Sequence, residues 1–429
     1  MQNLMKKLKI GRLKRKMIAT LAELHLYSKY SKGLKIIGVT GTNGKTTTAH
    51  LLYKIALELG HKAGFIGTTG TLINGEELKM ERKIPTTPDV LTLNKIFLEM
   101  KRQGCTYVFM EVSSHALDQK RVAGIKFVGG IFTNLTHDHL DYHKNFENYF
   151  GAKKKFFKML PVNAFALSNG DDEYGKRMIE GIKAKKYLYG FNDFPQVGLV
   201  ESHRSELWEK FSAEILKIDF NGIQLKVDND VIKSKLLGKF NAYNLLAVWS
   251  ACSLLNFDMG KVKNILENIE APKGRFDHFV SVGGILGIVD YAHSPDSLEK
   301  VLNTIKEFKD EYSKIITVFG CGGDKDPLKR PIMGKTGASL SDIAIFTSDN
   351  SRSEDPEKII NEMKEDLNMI DLGKVKSIPD RHEAIKEAVS LAGKGDIILL
   401  AGKGHENYQE IKGVRYHFDD MEELKKYLK

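Results

Sequence analysis

The sequence predicts an α/β protein of two domains, each built on a mainly parallel sheet, with a phosphate-binding loop in the first. Three observations predict it. Short apolar runs alternate with helical stretches over most of the 429 residues, the pattern of strands joined by crossover helices. One apolar run opens directly into a glycine-rich turn that ends in Lys-Thr, where backbone amides and a helix N-terminus can meet an anion. After P-K-G-R-F at 272–276 the alternation starts afresh, which places a boundary near residue 275.

The elements follow in order. Leu8, Leu13, Met17, Leu21 and Leu24 recur at helical spacing and predict one amphipathic helix through about residue 28. Residues 1–33 are therefore read as a basic helix and linker. The run 34–40 reads as a buried strand, 41–46 as the turn and 47–59 as a helix. Further strands are expected at 107–112, 129–133 and 164–168, with a helix at 90–103. Alternation through 215–227, around Asn221-Gly222, predicts a β-hairpin excursion. A helix follows at 241–255, and the central domain spans 34–274. The second series, 275–429, carries strands at 285–289, 315–319, 343–347 and 396–401, a Rossmann-like α/β domain.

Composition narrows the class. Hydrophobic residues make up 42% and charged residues 28%, ordinary for a soluble globular chain. At about 150 residues per domain the length suggests roughly three domains. The net charge of +10 points to an anionic partner, but Lys6, Lys7, Lys9, Arg12, Lys14, Arg15 and Lys16 supply seven of those charges. The remaining 413 residues are nearly balanced and show no basic stripe with interleaved aromatics, so nucleic acid is not expected as a partner. The three cysteines lie far apart, which excludes a disulfide framework and a cysteine-based zinc site. No run approaches the ~20 apolar residues of a membrane span, and no secretory signal is present. A cytoplasmic protein is expected.

The loop Gly41, Thr42, Asn43, Gly44, Lys45, Thr46, Thr47 has the means to hold phosphates. The glycines let the backbone approach, Lys45 reaches the β- and γ-phosphates, and the Thr46 hydroxyl binds Mg²⁺. Val39 stands where the usual phosphate-loop spacing has its first glycine; the alternative is a simple glycine-rich turn. Glu111 ends the strand at 107–112, well placed as a Mg²⁺ ligand beside that loop. Oxygen-rich Mg²⁺ sites do not usually recruit histidine. Asp138, His139, Asp141 and His143 therefore read equally well as a hydrogen-bonded turn. The run Lys153-Lys-Lys155 reads by itself as a solvated basic face.

G-T-N-G-K-T-T at 41–47, E-V-S-S-H at 111–115 and D-H-L-D-Y-H at 138–143 together resemble the Mur ligases. Within them they are most similar to the type that adds the third residue of the peptidoglycan stem peptide. The resemblance runs from about residue 20 to the C-terminus. It implies a central P-loop ATPase domain and an ATP-dependent ligase that joins meso-diaminopimelate, or another diamino acid, to the D-Glu carboxylate of a muramoyl-dipeptide precursor. An acyl phosphate would be the intermediate, and ADP and phosphate the by-products. It also implies that His139 is a metal ligand beside Thr46 and Glu111. Lys153, chosen over its neighbours by register, would be carbamylated and so become an anionic oxygen ligand for Mg²⁺.

The resemblance assigns the remaining contacts. Asn244, Arg275, Asp290, Tyr291 and His293 match ATP contacts, with the second domain closing over the nucleotide. Their bland readings are a helix cap, a linker charge and a loop start. Thr86, Thr87, Ser113, Gln119 and Arg121 match contacts to the muramoyl-dipeptide end. Asp349, Asn350 and Arg352 resemble a D-N-P-R signature, and Gly402 and Glu406 stand in G-K-G-H-E. Arg352 would take the extra carboxylate of diaminopimelate as a fork, and Glu406 its distal ammonium; lysine lacks that carboxylate. The bland reading of Arg352 is a surface pair with Glu354. Two positions depart from the family: Ser351 replaces a proline, and Lys325 replaces an arginine that also contacts the amino acid.

In the family a UDP-binding domain precedes the linker helix, and here only about 20 residues do. The expectation is that this domain is missing. The acceptor would then be held by its sugar-peptide end, by a partner chain, or not be UDP-linked at all. Residues 1–16 would hold a pyrophosphate or the anionic inner face of the membrane, or form a solvated helix end. Two other functions compete: a related ligase with another acceptor, such as a recycling ligase, and a non-catalytic nucleotide-binding partner in a cell-wall complex. Intact Lys45, Thr46, Glu111, His139 and Lys153 weigh against the last.

Overall fold

The structure is a computed structural model that describes residues 30–79, 86–136, 140–191 and 208–428. The basic leader and the N-terminal helix expected from the sequence lie outside these residues. The chain divides into two compact units. The first holds the chain as far as Lys217, with Gln224–Ser234 and Phe240–Ile269. The second holds Ile218–Ile223, Lys235–Lys239 and the chain from Glu270 on.

The first unit begins with β1 (Lys35–Thr40), β2 (Ala63–Gly67), β3 (Gly70–Ile73), β4 (Glu76–Glu77) and β5 (Tyr107–Glu111). It continues with β6 (Phe127–Phe132), β7 (Phe165–Asn169), β8 (Lys185–Gly190), β9 (Glu209–Asp219), β10 (Gly222–Val227) and β11 (Asp230–Ser234). They form one sheet in the order β11-β10-β9-β8-β7-β6-β1-β5-β2-β3-β4. From β2 through β9 by way of β1, neighbouring strands run parallel. Strands covered on both faces read as continuous apolar runs, and β1 and β5 are buried along almost their whole length. The chain builds first on one side of β1 and then on the other. The carboxyl end of β1 thus opens where strand order reverses, the usual ligand position in such sheets.

The expected strands appear as β1, β5, β6 and β7, and the expected hairpin as β9 and β10. β2, β3, β4, β8 and β11 are additional. β2 reads A-G-F-I-G, and its glycines dilute the apolar signal. Gly64 is a packing requirement: a Cβ there would stand 2.3 Å from the Met100 methyl.

The second unit has β12 (Asp277–Val280), β13 (Leu286–Asp290), β14 (Ile315–Phe319), β15 (Ile343–Phe346), β16 (Val375–Ser377) and β17 (Ile397–Ala401). Their order is β12-β13-β17-β14-β15-β16, with only β12 antiparallel. A two-stranded ribbon follows, β18 (Tyr408–Ile411) and β19 (Val414–His417). Side chains alternate between two cores. Ile315, Phe319, Leu399 and Ala401 pack with Leu298, Leu302 and Met333. Ile316, Val318, Ile398 and Leu400 pack with Ile385, Ala388 and Leu424. Helices on both faces of a mainly parallel sheet give the α/β class that the strand–helix alternation predicts.

A buried ion pair ties the second of these faces. Arg381 opens the helix Arg381–Leu391 and donates from Nε and Nη2 to the Asp420 carboxylate at 2.7 Å each. Both side chains are fully buried. The guanidinium also reaches the Ser348 carbonyl (3.4 Å) and the Ala401 carbonyl (3.2 Å), just beyond β15 and at the end of β17. Removing one partner leaves an uncompensated buried charge, whereas replacing both by apolar groups does not. Asp420→Ala should therefore destabilise the second unit by about 3–5 kcal/mol, read as a lower urea midpoint. The double change Arg381→Met with Asp420→Leu should recover most of that loss.

Candidate active site

The loop after β1 owes its shape to the segment after β6. Thr42 N–H donates to the Asn134 carbonyl (2.8 Å) and Asn43 N–H to Asn134 Oδ1 (2.9 Å). Asn134 Nδ2 returns a bond to the Asn43 carbonyl (3.2 Å), and Thr133 Oγ1 donates to the same oxygen (2.6 Å). Thr136 N–H meets Thr42 Oγ1 at 3.0 Å. Gly41 has φ +151°, and a Cβ there would lie 1.9 Å from Thr133 Oγ1. Gly44, at φ +81°, precedes the helix Lys45–Glu58 without a side-chain cap. The first-turn amides are thus open to an anion. Lys45 Nζ arches back over the loop to the carbonyls of Gly41 (3.0 Å) and Thr42 (2.7 Å). Thr46 and Thr47 are buried in the first turn.

Asn244 sits against this turn. It lies in the helix Lys239–Leu254, accepts from Thr48 Oγ1 at 3.3 Å and donates to Asn241 Oδ1 at 3.0 Å. A second support escaped the sequence reading. Asn169, at the end of β7, donates to the Thr133 carbonyl (2.9 Å), and Asp172 accepts from Leu135 N–H (2.9 Å). Asp171 accepts from the hydroxyl of Tyr243, next to Asn244, at 3.0 Å. The signal was present as N-G-D-D immediately after an apolar run.

Glu111 is the last residue of β5 and is fully buried. Its carboxylate accepts from Thr68 N–H (2.7 Å) and Thr68 Oγ1 (3.2 Å). Around it the residues expected to bind the acceptor form one hydrogen-bonded cluster. Thr86 Oγ1 lies 3.1 Å from Thr68 Oγ1, and Thr87 Oγ1 donates to the Glu111 carbonyl (2.9 Å) and to Ser113 Oγ (3.3 Å). Arg121 donates to the Thr87 carbonyl (2.8 Å) and grips Gln119 Oε1 at 3.1 and 2.8 Å.

The three successive lysines separate. Lys153 is 1% exposed, with Nζ 2.7 Å from the Gly41 carbonyl and 4.5 Å from the Tyr149 ring centre. Lys155 pairs with Asp118 at the surface, and Lys154 reaches the Arg177 carbonyl. The solvated-face reading therefore suits Lys154 and Lys155 but not Lys153. His139 lies outside the described residues. Among the described residues no three His, Cys, Asp or Glu side chains are grouped to hold a metal.

In the second unit, the functional candidates again gather at carboxyl ends of strands. Asp290 ends β13 and accepts from Phe276 N–H at 2.8 Å. Burial pushes its carboxyl up to about 6, against the pull of Arg275. The Arg275 guanidinium lies 4.9 Å from the Tyr291 ring centre, and the His293 ring, tilted by 57°, packs 4.6 Å from the same centre. Asp349 and Asn350 follow β15, and Gly402 follows β17. Asn350 Nδ2 donates to Glu406 Oε2 at 2.8 Å. Gly402 has φ +111°, and a Cβ there would meet Asp349 Oδ2 at 2.8 Å.

Arg352 bridges to Ile411, with its N–H on the Glu410 carbonyl (3.0 Å) and its own carbonyl accepting from Lys412 N–H (2.6 Å). Its Nη1 donates to the Gly323 carbonyl. A Cβ on Gly322 would lie 3.1 Å from Arg352 Nη1 and 3.7 Å from Lys325 Cγ, so Lys325 and Arg352 share a site. The surface pair of Arg352 with Glu354 does not form. Arg330 takes the Glu354 carboxylate as a fork at 2.9 and 2.8 Å and holds that carboxyl down at about 2.

Comparison with known proteins agrees. The family model of the Mur ligase middle domain matches residues 39–252, and that of the Mur ligase, glutamate ligase domain matches residues 274–404. A UDP-N-acetylmuramoyl-L-alanyl-D-glutamate--2,6-diaminopimelate ligase of Cytophaga hutchinsonii is 48% identical over 404 residues, covering 94% of this chain and 79% of that protein. The chain belongs to the Mur ligase family. A solved ligase structure with the same title is 34% identical with a TM-score of 0.62, over 92% of this chain and 78% of that one. The folylpolyglutamate synthase of Mycobacterium tuberculosis shares the fold, with a TM-score of 0.67 at 18% identity over 92% of this chain and 95% of that one. As a Mur ligase the chain is an ATP-dependent carboxylate–amine ligase. No described helix is long and apolar enough to cross a membrane.

Asn134→Ala removes two side-chain bonds from the loop, at about 0.5–1.5 kcal/mol each. It should raise KM for ATP about tenfold and leave KM for the amino acid unchanged in a coupled ADP-release assay. Lys45→Ala should lower kcat on the order of a hundredfold or more.

Proposed function

We propose that this Mur ligase joins the amino group of meso-diaminopimelate to the D-glutamate carboxylate of a muramoyl-dipeptide precursor in cytoplasmic peptidoglycan synthesis. The observation that carries the reading is that Asn350 holds Glu406 at 2.8 Å while Arg352, two residues on, borders Gly322 together with Lys325, in a chain 48% identical to a diaminopimelate-adding ligase. A fork-shaped cation and a carboxylate in one site suit a ligand with a carboxylate and an ammonium at its far end.

In this reading the open amides at the start of the helix Lys45–Glu58, with the Lys45 ammonium, receive the ATP phosphates, and the rest of the loop 41–47 lines them. The acceptor carboxylate, placed by Thr86, Thr87, Ser113, Gln119 and Arg121, attacks the γ-phosphorus, and ADP leaves. The amine attacks the acyl phosphate, phosphate leaves, and the amide forms. The side chains chiefly position the reactants and neutralise charge. Asn244, Arg275, Asp290, Tyr291 and His293 are proposed to contact the nucleotide.

The donors present fit Mg²⁺. The Glu111 carboxylate and Thr46 hydroxyl are hard oxygens buried beside the loop, as Mg²⁺ prefers. Carbamylated Lys153 would add another anionic oxygen, and its nitrogen would keep one N–H for the Gly41 carbonyl. With His139 these residues would hold the ion, which supplies charge neutralisation at the transferring phosphoryl group. Residues 1–16 are proposed to contact the precursor's pyrophosphate or the anionic inner membrane face. Their removal should raise the acceptor's KM and weaken binding to anionic vesicles.

ADP release by the purified protein should require both UDP-muramoyl-dipeptide and diaminopimelate. Lysine in place of diaminopimelate should be at least about tenfold poorer in kcat/KM, the worth of one charge-assisted fork. A preference for lysine would overturn the assignment of Arg352. Arg352→Ala should raise KM for diaminopimelate about 10- to 100-fold while kcat/KM for ATP holds.

A further inference from the structure

Between Gly402 and Glu406 stands Lys403, a residue with no part in the reading above. Its side chain is fully buried. Nζ lies 3.3 Å from Asn350 Oδ1, 4.0 Å from Glu406 Oε2 and 5.6 Å from the Tyr408 ring centre. An ammonium is costly to bury, and it persists where its bonds secure something else. Burial pushes its pKa down; the Asp349, Asp420 and Glu406 carboxylates pull the other way, and the Arg381 guanidinium adds to the burial effect.

What it secures is the direction of an amide. Asn350 Oδ1 accepts from Lys403 Nζ and from Glu410 N–H at 2.8 Å. With that oxygen fixed between two donors, Nδ2 must face the other way, where it donates to Glu406 Oε2 at 2.8 Å. A flipped Asn350 would set its NH₂ against an ammonium and a backbone N–H, and turn an oxygen toward the Glu406 carboxylate. The other Glu406 oxygen accepts from the Tyr408 hydroxyl at 3.3 Å. The carboxylate is therefore held on both sides.

We propose that Lys403 is a positioning residue of the diamino-acid site: by fixing the orientation of Asn350 it aims the Glu406 carboxylate at the ligand's distal ammonium. The inference rests on the diaminopimelate reading and deepens it. In this proposal Lys403 acts through Asn350, its hydrogen-bond partner, and not on the ligand itself.

The test uses the full chain and measures KM for diaminopimelate, ATP and acceptor separately. Lys403→Met keeps the stem and removes the donor; it should raise KM for diaminopimelate at least about tenfold and leave the other two within about twofold. Lys403→Gln restores a donor and should recover most of the affinity, which separates positioning from folding. In an Asn350→Ala background Lys403→Met should add nothing further, because the two act as one unit. Equal rises in all three KM values, no rescue by Gln, or additive effects with Asn350→Ala would each overturn the proposal. Failure of the underlying reading looks different: the unmodified protein would then show no ADP release dependent on diaminopimelate, and both would fall.

Discussion

The phosphate loop of this ligase cannot hold its own shape, and much of the first unit is arranged around that fact. A loop that offers the amides of its last turn to an anion must leave those unspent, so its geometry has to be imposed through the earlier ones, from outside. Asn134 and Thr133 impose it, meeting the backbone of Thr42 and Asn43 from the strand on the far side of β1. Asp172 and Asn169 then hold that strap. The two positive-φ glycines are the places where the loop touches its supports. A side chain at Gly41 would enter Thr133, and one at Gly44 would enter Asn244. Preorganisation here is distributed over strand ends that only a parallel sheet brings level.

The second unit solves a similar problem with charge. The proposed amino-acid site hangs from three loops. Arg381 with Asp420 ties the exits of β15 and β17. Arg330, with Glu354 and Glu362, ties the loop of Lys325 to that of Arg352. Such buried pairs return little net stability against an apolar core. Their use is geometric: a guanidinium with fixed partners admits one arrangement of the loops it joins. The exchange of Lys for the family arginine at 325 and of Ser for proline at 351 falls inside this clamped region. There Ser351 is 1% exposed and its carbonyl accepts from Glu354 N–H at 3.0 Å, so the loop is held without the proline ring.

Much of the fold was legible because β1, β5, β7, β14 and β17 are continuous apolar runs, the signature of strands covered on both faces. β2 was not, since packing against Met100 demands a glycine where the pattern wanted an apolar side chain. The motifs exposed the residues proposed to meet substrate, and they left the supporting residues unseen. Thr68, Asn134 and Asp172 are single polar residues that each hold a partner 37 to 91 positions away. No periodicity or short spacing carries such information. Lys153 shows the converse: three adjacent lysines look alike as letters, and only helical register inside a packed unit buries one of them.

Arg352 lies in the left-handed region at φ +51°, a conformation that costs a side-chain-bearing residue about 1–2 kcal/mol. Its backbone is strung on a single bridge to Ile411, so the arm proposed to read the ligand is backed by the ribbon of β18 and β19 and not by the main sheet. The two strands of that ribbon pair only with each other, so a shift in their register would move the proposed reading arm without breaking a ladder of the six-stranded sheet.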